Sequence, residues 1–200
     1  MDKAKILSYI ITAVSIIFVL VTHEWGHAYV AYLNGDTTAK DRGRLTLNPF
    51  KHLDLLGTIS MIIFRFGWAK PVPINQFNFK KQRLGLFTVA IAGIVINLLT
   101  AFICLLIMYN IQLNEIAFVL LDRISFYGIV FAVFNLIPIP PLDGSKILAS
   151  ILPKKFQYFI YKYEKYSMLI LVIFIASGLI DKIFTPMILF VYRIFTNIII

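Results

Sequence analysis

An apolar run near the amino end leads into His23-Glu24-Trp25-Gly26-His27, two histidines four positions apart with a glutamate beside the first. Helical positions four apart share a face, so both imidazoles can bind one Zn2+ while Glu24 lies beside a bound water as general base. That spacing serves zinc-dependent hydrolysis. The chain holds three histidines, and a shuffled chain of this composition contains the pattern by accident fewer than about 0.001 times. The plainer alternative is a pair of interfacial histidines at a helix end. Cys104 is the single cysteine and lies inside an apolar run, which excludes a cysteine-based metal cluster and an intramolecular disulfide.

Two histidines leave a zinc ion short of a third protein ligand, and His52 is the only other imidazole. A carboxylate at a membrane border is the natural donor, and Asp143 leads the candidates. It follows Asn135-Leu136-Ile137-Pro138-Ile139-Pro140-Pro141-Leu142 and precedes Gly144. Three prolines forbid regular helix there, and unwound backbone within a membrane is tolerated only where it is buried in protein or lines a wet cavity. Asp143 could also simply cap the helix that follows, which would not exclude ligation.

The elements that must position these groups follow from composition. Of 200 residues, 60% are hydrophobic and only 14% charged, and mean hydropathy is +0.83; a soluble domain has about a quarter of its residues charged. The expectation is an all-α polytopic membrane protein. Spanning ~30 Å of hydrocarbon takes about 20 apolar residues as helix. The candidates are Ile6–Thr22 continuing to Leu33, Gly85–Tyr109, Ile124–Ile137 extended back through Ile116, Met168–Ile180 and Ile183–Ile200, with a turn around Asp181. Leu55–Phe66 is shorter and contains Arg65, which suits a re-entrant or interfacial piece. The reading is five spans plus that half-span, with six full spans as the rival. It takes 1–200 as a single domain: a core over 6–146, a cytoplasmic amphipathic segment over 147–165, and two transmembrane helices over 166–200. Lys3 and Lys5 before an apolar core mimic a signal peptide, but no small-residue cleavage site follows.

The net charge of +9 is explained by membrane orientation rather than by nucleic acid. Lys40, Arg42, Arg44 and Lys51 occupy one connection; Lys70, Lys80, Lys81 and Arg83 a second; Lys146, Lys154, Lys155, Lys162 and Lys165 a third. Asn110 to Glu115 has none. The three basic stretches therefore belong on the cytoplasmic side, which brings Asp143 to the same membrane face as His23 and His27 and puts the amino terminus outside. Between Ala69 and Lys80 a weakly alternating stretch with Pro71 and Pro73 reads either as an interfacial loop or as a short β-hairpin offering backbone groups to an unwound substrate.

HEWGH on an apolar helix, together with Asn135–Gly144 as N-x-x-P-x-P-P-L-D-G, resembles the site-2 protease family of intramembrane zinc metalloproteases, peptidase family M50. Further similarity lies in Gly43-Arg44-Leu45-Thr46-Leu47-Asn48-Pro49 with His52 and Asp54, in Gly67-Trp68-Ala69-Lys70-Pro71-Val72-Pro73, and in Ala92-Gly93 with Asn97. The resemblance is to the compact branch without PDZ or CBS domains. It implies one Zn2+ per chain held by His23, His27 and Asp143, Glu24 as base, Asn135 near the catalytic water or substrate, and substrates that are transmembrane proteins in the lipid bilayer of the cell membrane. Two departures concern local helix geometry: Ile94 and Leu55 stand where the family commonly has proline.

Four residues have simpler readings. Asn97, one turn from Gly93, suits an interhelical hydrogen bond of about 0.6–2 kcal/mol. His52 suits an ordinary place in a basic loop, and Trp25 and Trp68 suit interfacial anchors. The rival functions are a zinc-binding membrane transporter and a non-catalytic relative that binds membrane helices. A transporter needs ionisable residues distributed along the spans, whereas here they gather at one face.

Overall fold

The computed structural model describes residues 2–54, 57, 70–176 and 178–200. Most of these are helical. α1 (Lys3–Leu33), α2 (Thr38–Asp41), α3 (Gln82–Asn110), α4 (Glu115–Asn135), α5 (Asp143–Ile151), α6 (Lys154–Tyr163), α7 (Ser167–Ala176) and α8 (Leu179–Ile199) follow one another. Among the described residues four helices are long and apolar enough to cross a membrane: α1, α3, α4 and the Lys182–Ile199 part of α8. At 31 residues, α1 is about 46 Å long and exceeds the ~30 Å hydrocarbon layer. Its first half turns Tyr9, Ile10, Val14 and Phe18 outward, as a surface solvated by lipid requires.

α3 lies at the centre, packed on α1, α4 and α5, with α8 against α4 and α3. Small residues let these backbones approach closely. A Cβ on Gly26 of α1 would meet Ile96 Cδ1 at 2.5 Å, and one on Gly128 of α4 would meet the Asn97 carbonyl oxygen at 2.9 Å. Ala101, Ile129 and Val133 fill the α3–α4 seam together with Phe184. α4 starts on an Asn114 cap, whose Oδ1 accepts from Ala117 N at 2.9 Å. It stops at Asn135, where the proline-rich stretch 136–142 turns the chain back so that α5 docks on α3.

Two expectations need correcting. Met168–Ile180 is not one helix: α7 ends at Ala176, and Gly178 adopts a left-handed φ of 71°. At ten residues, α7 is about 15 Å long, half a hydrocarbon layer. Asp181 and Lys182, read as a turn, lie in the first turns of α8. Residues 70–80 form no strand among the described residues; Gln76–Asn78 coil instead into a 3-10 turn whose cap is Asn75. Pro71 and Pro73 lack donors, and the Val72 and Asn75 N–H groups are taken by the side chains of Glu24 and Asp36, which withholds these positions from a ladder. The segment Leu55–Phe66, Gly57 apart, and Trp68 lie outside the described residues.

Candidate metal centre

His23 and His27 stand one turn apart on α1, 5% and 6% exposed, and Asp143 at the first position of α5 is 4% exposed. The rings are perpendicular, with centroids 4.5 Å apart. His23 Nε2 and His27 Nε2 are 3.0 Å apart, and Asp143 Oδ2 lies 3.1 Å from the first and 2.9 Å from the second. Three donor atoms from opposite ends of the sequence thus form a small, nearly equilateral triangle. Tetrahedral zinc ligands bonded at about 2.0–2.1 Å stand about 3.3 Å apart, so the triangle suits one ion after an expansion of a few tenths of an ångström.

A second observation supports a cation there. His27 Nδ1 is 2.7 Å from the Val89 carbonyl oxygen, an acceptor only, so Nδ1 carries the proton. With Nδ1 engaged, His27 Nε2 faces Asp143 Oδ2 at 2.9 Å, so a cation belongs between them, either a second ring proton or a metal ion. Oδ1 of Asp143 accepts from Lys146 Nζ at 3.2 Å, one turn along α5, leaving Oδ2 for the ion. Burial alone would raise the Asp143 pKa, but His27, hydrogen bonds with His23 and His27, and the Lys146 ammonium hold it well below the usual carboxylate range.

Glu24 adjoins this cluster, and its Oε2 accepts from Val72 N at 2.8 Å. The segment carrying Val72 is fastened on both sides of that contact. Buried Arg44 donates from Nη2 to the Lys70 oxygen at 2.7 Å, Lys70 N donates to the His52 oxygen at 2.9 Å, and Asp36 accepts from Asn75 N at 2.7 Å. Asp36 is fully buried and also accepts from Thr38 and from Asn78 Nδ2. A cavity of about 330 Å³ opens between His27, Asp143 and Lys146 on one side and Val72, Ile74 and Phe77 on the other.

α3 forms the floor of the centre. A Cβ on Gly93 would lie 2.5 Å from His23 Cε1 and 2.7 Å from His27 Nε2, so only glycine leaves room for both rings. Asn97, fully buried one turn further on, brings Nδ2 within 3.1 Å of His23 Nδ1.

A relative from Bacillus subtilis, "Putative zinc metalloprotease YwhC", is 38% identical over 192 residues, which cover 92% of this chain and 87% of that protein. The chain belongs to peptidase family M50, the site-2 protease family. The model of peptidase family M50 itself matches residues 110–178, which include Asn135 and Asp143. "Putative zinc metalloprotease Rip2" of Mycolicibacterium smegmatis is 29% identical over 92% of this chain and 74% of its own length. "Zinc metalloprotease MJ0392" of Methanocaldococcus jannaschii is 28% identical over 70% of this chain and 33% of its own length. No solved structure matches at the significance these relatives reach. As an M50 member with apolar helices long enough to span, the chain is a membrane zinc metalloprotease.

Of the residues singled out for this M50 centre, the structure brings His23, His27 and Asp143 together and places Glu24 at their side. Asn135 ends α4, and its Nδ2 donates to the Phe131 oxygen one turn back at 3.0 Å; no hydrogen bond to the cluster is found among the described residues. His52 stays apart, fully buried with Nε2 2.7 Å from the Thr46 oxygen. Trp25 stacks on Tyr29 at 5.0 Å. Sequence reasoning missed the roles of Asp36, Arg44, Lys146 and Val72, and took Asn97 for an interhelical contact without its histidine partner. The signal for Asn97 was the series Val89, Gly93, Asn97 at four-residue spacing on one face of an apolar helix.

Proposed function

We propose that this chain is an intramembrane protease of the site-2 type, hydrolysing peptide bonds in or near transmembrane segments of membrane-anchored substrates in regulated intramembrane proteolysis. The observation that carries the reading is the buried triangle of His23 Nε2, His27 Nε2 and Asp143 Oδ2. One zinc ion per chain held by these atoms supplies a Lewis acid that acidifies water and polarises the scissile carbonyl. Glu24 takes the proton of the attacking water and passes it to the departing amine nitrogen as the C–N bond breaks. The Val72 N–H holds Oε2 of Glu24 and leaves Oε1 for that transfer. Asn135 contacts the substrate once its amide leaves the Phe131 oxygen.

The cavity between the centre and segment 72–79 receives a locally unwound peptide, and the basic connections support a mouth that faces the cytoplasm at the cell membrane. The test compares wild type, Glu24→Gln and Asp143→Ala for zinc content and for cleavage of a panel of single-span substrates. Glu24→Gln is expected to keep zinc and lose cleavage, and Asp143→Ala to lose both. Cleavage by Glu24→Gln at the wild-type rate would sink the assignment.

A further inference from the structure

The Asn97 carboxamide is fully buried, touches His23 Nδ1 through Nδ2 at 3.1 Å, and leaves Oδ1 without a partner. The two ends of a carboxamide have nearly the same shape, and turning it end for end lets Oδ1 accept from Nδ1–H. His23 Nε2 then presents its lone pair toward His27 Nε2 and Asp143 Oδ2. The opposite arrangement, Nδ2 donating to a bare Nδ1, puts the proton on Nε2, where it blocks ligation. His27 is already held in the matching form by Val89 O, eight residues earlier on the same face of α3.

We infer that Asn97 is a positioning residue of the metal centre: its carboxamide oxygen accepts the His23 Nδ1–H and fixes the ring with Nε2 free for the ion. Val89 and Asn97 thus serve the two imidazoles from one turn before and one turn after Gly93. The inference rests on the zinc reading proposed above.

The experiment measures zinc affinity of the full chain in detergent micelles by competition with a chromogenic chelator, together with thermal stability, for wild type, Asn97→Leu and Asn97→Asp. Asn97→Leu keeps the volume and removes the acceptor; its affinity is expected to fall by about 10- to 100-fold. Asn97→Asp restores an acceptor and is expected to stay within about threefold of wild type. A merely structural role would lower thermal stability in Asn97→Leu and leave its zinc affinity unchanged, which overturns the inference. Should Asn97→Leu fail to fold, nitrogen-15 spectra of histidine-labelled, metal-free wild type decide: a proton on His23 Nδ1 is expected, and a bare Nδ1 overturns it. Failure of wild type to bind zinc at all would reject the metal reading itself; zinc binding by wild type and Asn97→Leu alike would reject only the part given to Asn97.

Discussion

His23, Glu24 and His27 advertise themselves through spacing alone, because ligand chemistry demands that the imidazoles share a helix face. Asp143 was legible by a longer route, through the prolines before it and its place at the end of an apolar run. What remained hidden at this scale were contacts to the non-ligating atoms. Val89 acts through its carbonyl, which carries no side-chain signature, and Lys146 resembles any other residue of a basic connection. Gly93 has no side chain to signal a role, yet its missing Cβ is the space the two rings occupy. Gly93→Ala is therefore expected to displace both histidines, lowering zinc affinity by about tenfold or more while α3 stays helical. Normal zinc content in purified Gly93→Ala would contradict this. Lys146→Met should weaken zinc binding less, because Lys146 reaches Asp143 from a half-exposed position at 3.2 Å and water can replace it.

Among elements, the apolar lengths of α1, α3 and α4 identified them, and length is the property a bilayer selects. The break at Gly178 was not visible, since glycine occurs within membrane helices as well as between them. The fate of 70–80 was also obscured, because distant side chains absorb the N–H groups a hairpin would use. That fastening predicts two outcomes. Val72→Pro removes the donor that holds Glu24 and should lower turnover by about 100-fold at unchanged zinc content; unchanged turnover would exclude a role for this contact. Asp36 anchors the other end. Burial alone raises its pKa, but Thr38, Asn75 N–H and Asn78 lower it below its ordinary value. A carboxyl depressed in the folded state stabilises fully above its unfolded pKa of about 3.9, and that contribution is lost as pH falls through the folded value. Melting temperature should fall below about pH 4 in wild type and fall less steeply in Asp36→Asn, which starts lower. Parallel curves for the two proteins would show that Asp36 does not drive this dependence.

At the scale of the molecule, the basic connections and the length of α3 make a topological claim open to labelling. Single cysteines replacing Lys40, Lys81 or Lys155, in a background with Cys104→Ala, should react with an impermeant maleimide from the cytoplasmic side. One replacing Gln112, beyond the far end of α3, should react only from the other side. Labelling of Lys81→Cys and Gln112→Cys from the same side would refute α3 as a span. α3 also imposes a strict phase. Val89, Gly93 and Asn97 fall in line because each successive residue turns a helix by about 100°. One alanine inserted between Gly93 and Asn97 would swing the amide away from His23 and every later packing residue off its neighbour. The same insertion in the short connection after Asn110 would merely lengthen a loop. The catalytic apparatus therefore tolerates length changes between its spans and almost none within the rod that threads beneath it.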